Sequence, residues 1–271
     1  MNHNTEHNAS RHAKHNISRS AKLSIREKDI RHSAGPVIHV EKLGVAYGDT
    51  LVFRGVTADV APRTLTAVIG PNGAGKSTLI KAILRFIRPF EGQVTLFGEP
   101  LERVRRRIAY VPQTAAVRWN FPITAGEVVL MGRYARLGWF RRPGAADRER
   151  AEQALEEMEI ADLRDRQIAQ LSGGQKQRIF IARALCQDAE LLIMDEPLAG
   201  VDHRSERIIM SRIRELQAEG RTILCVHHDL HTVPGYFDHV LLINRRIIAQ
   251  GPTARCFTEE NIALTYEEKG P

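Results

Sequence analysis

Gly70-Pro71-Asn72-Gly73-Ala74-Gly75-Lys76-Ser77-Thr78 has the residue types and spacing to hold the phosphates of a nucleotide. It fits the pattern Gly-x4-Gly-Lys-[Ser/Thr], placed after an expected strand and opening an expected helix. Glycines let backbone N–H groups turn inward on phosphate oxygens, and the helix N-terminus adds partial positive charge. Lys76 is expected to neutralise the β- and γ-phosphates, and the Ser77 hydroxyl to ligate Mg2+. Further along, an apolar run ends in two adjacent carboxylates, Asp195 and Glu196, followed by Pro197. Successive strand residues face opposite ways, so the two carboxylates have different tasks. Asp195 is expected to hold magnesium, directly or through water. Glu196, just past the strand, is placed to polarise an attacking water as general base.

A third segment, Leu171-Ser172-Gly173-Gly174-Gln175, is on its plainest reading a capped helix start, since Ser172 and Gln175 stand three apart as in a capping box. A P-loop chain already has its own phosphate-binding helix, however. This second glycine-rich helix start offers another anion site aimed elsewhere, with Ser172 and the Gly173 and Gly174 amides suited to grip a γ-phosphate. Gln113, after Val111-Pro112, is a neutral oxygen donor able to complete magnesium and water coordination. His228 is a candidate γ-phosphate sensor, with His227 and His231 as neighbours that leave the local choice open. Tyr47 is either an adenine-stacking ring or an edge-strand aromatic.

These groups need a scaffold, and hydropathy outlines one. Residues 37–45 and 51–60 read as strands of an antiparallel edge, and the continuous apolar run 65–69 as a central strand covered on both faces. Residues 76–87 carry Leu79, Ile80, Ile83, Leu84 and Ile87 at helical spacing, with Pro89 after the stop. Residues 108–111 form a short strand. Between 114 and 170 the character changes to a mostly helical insert, including a helix over 147–158. Helix and strand then alternate: helix 173–187, strand 190–194, helix 203–218, strand 222–226, a short helix near 229–233 and strand 239–243. Such alternation means an α/β fold with a mostly parallel sheet.

Bulk properties exclude several classes. The chain has 271 residues, 43% hydrophobic and 26% charged, which is ordinary globular composition. No apolar run approaches the ~20 residues of a membrane-spanning helix. No apolar leader stands at the N-terminus. Three scattered cysteines read as packed thiols of a reducing compartment. The net charge of +7 is concentrated in residues 1–35, which hold seven Lys/Arg against three Asp/Glu. The remainder is too weakly basic to argue for a nucleic-acid surface. Residues 1–34 read as a disordered tail. His3 and His7, and His12 and His15, have helical spacing for a metal, but a solvated polar extension is the reading favoured there.

Taken together, GPNGAGKST, Val111-Pro112-Gln113, LSGGQ at 171–175, LLIMDEP at 191–197, the Asp202 segment and HHDL at 227–230 resemble the ATP-binding subunit of an ABC transporter, from residue 37 to the C-terminus. The resemblance implies an α/β fold: a P-loop NTPase core of mostly parallel sheet, an antiparallel β edge and a helical insert at about 114–170, within one ATPase domain over 35–271. It assigns Tyr47 to adenine stacking, Gln113 to the loop facing the permease, Asp202 to the dimer-contact loop and His228 to the switch position. Ala199-Gly200-Val201 before Asp202, and His227 before the switch, depart from the commoner family residues. The family also implies ATP and Mg2+ as ligands and a homodimer with ATP sandwiched at its interface. It implies docking on integral-membrane permease subunits at the cytoplasmic face of the cell membrane, and no nucleic acid. Residues 117–123, 128–134, 137–143 and 257–261 are similar to those of bacterial manganese, zinc and chelated-iron importers, whose cargo an extracytoplasmic metal-binding protein delivers. A siderophore or other importer, and a non-transport ABC ATPase acting on nucleic acid or ribosomes, are the alternatives.

Overall fold

The computed structural model describes residues 35–113, 122–137 and 141–267. The histidines of the tail, and Trp119, Phe121, Trp139 and Phe140 of the insert, lie outside these residues.

Strand β3 (Leu65–Ile69) is buried at every position, and its neighbours explain why. It is central in a six-stranded sheet of order β5-β6-β7-β3-β8-β9. Here β5 is Ile108–Val111, β6 Leu191–Asp195, β7 Thr222–Val226, β8 His239–Ile243 and β9 Ile247–Pro252. All neighbours pair in parallel except β9, which closes the edge antiparallel to β8. Side chains alternate across this sheet, and both faces are dry. Leu65, Ala67, Ile69, Leu192, Met194, Ile223, Cys225, Val240 and Leu242 enter one core. Val68, Leu191, Ile193, Leu224, Val226, Leu241 and Ile243 enter the other. Burial on both faces is what turns alternation into continuous apolar runs, each Leu or Ile contributing about 1.5–3 kcal/mol.

The second core is covered by α1 (Lys76–Ile83) and a three-stranded antiparallel sheet of order β2-β1-β4, where β1 is Ile38–Tyr47, β2 Thr50–Val60 and β4 Glu91–Leu96. A short helix, α2 (Leu101–Val104), leads into β5. The first core is covered by α6 (Gly173–Cys186), α7 (His203–Ala218) and the insert. The insert contributes α3 (Ala125–Leu130), α4 (Tyr134–Leu137) and α5 (Ala145–Glu157). Thr124 and Glu127 form a capping box that starts α3. Gly132 meets α6 so closely that a β-carbon there would collide with the Arg183 carbonyl. The chain ends with α8 (Val233–Tyr236), α9 (Thr253–Cys256) and α10 (Glu259–Tyr266). Among the described residues, no helix is long and apolar enough to cross a membrane.

Three features differ from the sequence expectation. Helix α1 stops at Ile83 rather than running to 87. Arg85 takes φ 55°, Phe86 N–H donates to the Lys81 carbonyl and Arg85 N–H to the Ala82 carbonyl, which is a Schellman ending on a non-glycine residue. The short helix expected near 229–233 lies at Val233–Tyr236 instead, because Asp229 accepts from His231 N–H and its carbonyl from the Thr232 hydroxyl, forming a turn. Finally, β4, β9 and α10 are elements that hydropathy did not outline.

Candidate functional site

The loop at residues 70–75 joins the C-terminal end of β3 to the start of α1. Gly73 (φ 78°) and Gly75 (φ 96°) adopt left-handed conformations that other residues enter only with strain. Gly70 is required for a second reason: its β-carbon would strike the carbonyl of Ile243 at the end of β8. The Lys76 ammonium donates to the Gly70 and Pro71 carbonyls at 2.8 and 3.0 Å, wrapping back along the loop. Burial lowers the Lys76 pKa, an effect opposed by the nearby Glu196 and Asp195 carboxylates.

Parallel pairing of β6 with its neighbours delivers the two acids to the same end of the sheet. Asp195 is the last residue of β6 and is buried. It accepts a hydrogen bond from the Ser77 hydroxyl at 3.0 Å. Burial raises its pKa above the ordinary carboxylate value, opposed by the Ser77 hydrogen bond and reinforced by the charge of Glu196. Glu196 sits just beyond the strand at φ 51°, a strained conformation that turns its side chain away from the line of the strand. The Gln113 side-chain amide donates to its carboxylate at 2.9 Å. With its NH2 occupied by Glu196, Gln113 keeps its carbonyl oxygen for a cation. Ser77 and Asp195 are thus paired through oxygen atoms, and Gln113 is tied to the neighbouring Glu196.

Beside these groups is an open cavity of about 550 Å3 lined by Gly70, Pro71, Asn72, Glu196, Ala199, Gly200, His228 and Tyr266. The three neighbouring histidines separate cleanly. His228 is exposed and lines the cavity. His227 is buried, bonded to the Thr232 hydroxyl at 2.7 Å and packed against the Phe237 ring, and burial lowers its pKa. The third, His231, belongs to the Asp229 turn. Tyr47 lies in the tight β1–β2 turn and is 48% exposed. The β2 residue Phe53 packs close to Gly75, which ties that sheet to the phosphate loop.

Ser172, Gly173, Gly174 and Gln175 are not among the residues lining the cavity, although Gly173 approaches the carbonyl of the cavity residue Gly200. They open α6 with a complete capping box, in which Ser172 Oγ accepts from Gln175 N–H and Gln175 Oε1 from Ser172 N–H. Gly174 is buried against Asp202 and Ser205, where a β-carbon would approach the Ser205 hydroxyl to 2.9 Å. Asp202 caps α7 through Ser205 N–H, and that bond holds its carboxyl below the usual range. Side-chain contacts sort these residues into two groups. One joins the phosphate loop to Asp195, Glu196, Gln113 and His228; the other joins Ser172–Gln175 to Asp202. Sequence reasoning missed Ala199, Gly200 and above all Tyr266 as cavity residues.

Comparison with known proteins gives this geometry a family. Residues 53–199 match the family model described as ABC transporter. The zinc transport system ATP-binding protein TroB of Treponema pallidum is 49% identical over 229 residues, covering 84% of this chain and 86% of that protein. The manganese transport system ATP-binding protein MntB of Bacillus subtilis is 48% identical over 229 residues, covering 84% and 92%. Among solved structures, cbiO1 of Clostridium perfringens, part of the ABC transporter complex cbiONQ, superposes with a TM-score of 0.72 at 30% identity, covering 85% of this chain and 94% of that one.

Proposed function

The chain belongs to the ABC transporter family, and from that premise we propose that its ATP hydrolysis drives uptake of a divalent metal cation, manganese or zinc, through membrane permease subunits. The observation that carries the choice of cargo is the near-half identity, over most of both chains, to ATP-binding proteins named for zinc and manganese transport. Chelated iron is less well supported, since neither of those two names mentions it.

The residues divide the chemistry as follows. Loop N–H groups, Lys76 and the helix start of α1 hold the phosphates, and Tyr47 stacks on the adenine. A magnesium ion would supply positive charge to neutralise the phosphates. Ser77, Asp195 and Gln113 are the residues that would hold it. Glu196, steadied by the Gln113 amide, takes the proton of the attacking water, and His228, which also lines the cavity, contacts the terminal phosphate. On one chain, Ser172–Gln175 do not line the phosphate cavity. A head-to-tail homodimer brings the Ser172, Gly173 and Gly174 donors of one copy to the nucleotide of the other, with Asp202 at the contact. ATP then holds the interface together, and hydrolysis releases it. Such an enzyme sits at the cytoplasmic face of the membrane through its permease, with an extracytoplasmic binding protein selecting the cation and no nucleic acid involved.

Whole-cell elemental analysis under metal limitation tests the cargo, comparing native protein with Lys76→Ala. A selective fall in manganese or zinc is expected. A fall in iron alone reassigns the cargo, and unchanged metals overturn the metal reading.

A further inference from the structure

Tyr266 ends the C-terminal helix α10, 190 residues beyond the phosphate loop, and belongs to none of the motifs that announce the nucleotide site. It nevertheless lines the same cavity as Gly70, Asn72, Glu196 and His228. Its ring is 37% exposed. Among the described residues its hydroxyl has no hydrogen-bond partner, so the donor is unspent. Burial raises its pKa from the ordinary phenol value, and the phenol is protonated at neutral pH as any ordinary tyrosine is.

The local structure anchors the backbone on either side of Tyr266. Asn244, in the β8–β9 turn, donates through its side chain to the carbonyls of Thr265 and Glu267 at 2.9 and 3.3 Å, on either side of Tyr266. Thr265 is fully buried, and its hydroxyl donates to the Asn261 carbonyl at 2.6 Å. Thr258 caps the helix start by accepting from Asn261 N–H. The same β8–β9 turn braces the phosphate loop: Arg245 N–H donates to the Ala74 carbonyl at 3.0 Å, and Ile243 abuts Gly70. One turn therefore fixes both the loop and the backbone that carries Tyr266.

We propose that Tyr266 is a nucleotide-binding residue whose hydroxyl donates to the terminal phosphate of ATP and so favours the triphosphate over the diphosphate. The inference rests on the reading of this cavity as the ATP site with Glu196 and His228 at its terminal-phosphate end. A neutral donor that reaches a phosphate oxygen gives a charge-assisted hydrogen bond without adding another cation beside Lys76.

Equilibrium binding of magnesium–ADP and of a magnesium-loaded, non-hydrolysable ATP analogue to the full chain tests this, with Tyr266→Phe, Tyr266→Leu and Lys76→Ala. Tyr266→Phe is expected to weaken the triphosphate analogue about tenfold while leaving ADP nearly unchanged, as loss of one hydrogen bond to a charged group requires. Its kcat for ATP should fall as well. Equal affinity of Tyr266→Phe and native protein for both nucleotides, with only Tyr266→Leu impaired, would reduce Tyr266 to packing and overturn the proposal. Equal losses for ADP and the analogue would overturn it too. If Lys76→Ala bound both nucleotides as native protein does, the site reading itself would fail. That outcome is distinguishable, because the failure then lies at the phosphate loop and not at Tyr266.

Discussion

Around the phosphate loop, Lys76 and Asp195 are both buried and both pushed away from their charged forms. At the root of the helical insert the opposite holds. Arg133 bonds Asp147 at 2.9 Å and Asp188 at 2.8 Å, and Arg150 bonds Asp188 at 2.9 Å and Glu157 at 3.2 Å. Arg212 extends the chain of pairs from α7 to Glu157 at 3.1 Å. Burial alone would raise the Asp188 pKa, but Arg150, Arg136 and Arg133 outweigh it and hold the carboxyl below the ordinary range. Asp147 is lowered by its bonds to Arg133 and to Gly144 N–H. The insert network thus satisfies its own charges and joins three helices. The phosphate site leaves its charges in deficit, in a form that a nucleotide and a cation complete. The insert pairs hold elements together, whereas burial works against the charged forms of Lys76 and Asp195.

The comparison breaks most sharply at Glu196. Glu196→Gln should keep ATP binding yet slow hydrolysis by about 10²–10⁴-fold, measured as steady-state phosphate release. Normal turnover would remove Glu196 as the base. In the insert, Asp188→Ala leaves Arg133 and Arg150 half-buried without their shared partner. A loss of about 2 kcal/mol, or roughly 5 °C in thermal unfolding, is expected, with nucleotide affinity retained. Asp195→Asn should move stability the other way while abolishing hydrolysis. The folded-state pKa of Asp195 lies above its unfolded value, so the native state binds more protons in the window between them, and stability falls as pH rises through that window. The neutral side chain escapes this loss. Unfolding at neutral pH should therefore occur at a higher temperature in Asp195→Asn, and the gain should vanish below the ordinary carboxylate range. A gain independent of pH would contradict the assignment. Thr124→Ala, which removes the α3 cap, is the smallest effect: about 1 kcal/mol of stability by chemical denaturation, with ATP binding untouched.

Legibility followed burial. The runs over β3, β7 and β8 have the same bounds in sequence and structure because both faces of the sheet are dry, which makes each run almost wholly apolar. Helix α7 matches its expected 203–218 because Asp202 supplies a clear cap. Strands β4 and β9 were missed because each is an edge strand, partly exposed, with Gly92 or Gly251 and Pro252 diluting its pattern. The phosphate loop, both acids and Gln113 were legible as local motifs. Their convergence follows from parallel strands ending at one sheet edge. The insert charge network was not legible, since its pairs are set by how α5, α6 and α7 cross, and no spacing along the chain encodes that. Tyr266 was hidden for the same reason: only the Asn244 turn brings it back to the loop.

The central claim is that one chain carries two halves of two different sites. Light-scattering mass of the Glu196→Gln protein, with and without magnesium–ATP, tests it most directly. The account predicts a doubling of mass with ATP that disappears when Ser172 is also changed to Arg, since the partner's phosphate grip is then blocked. A Glu196→Gln protein that binds ATP and stays monomeric would contradict it.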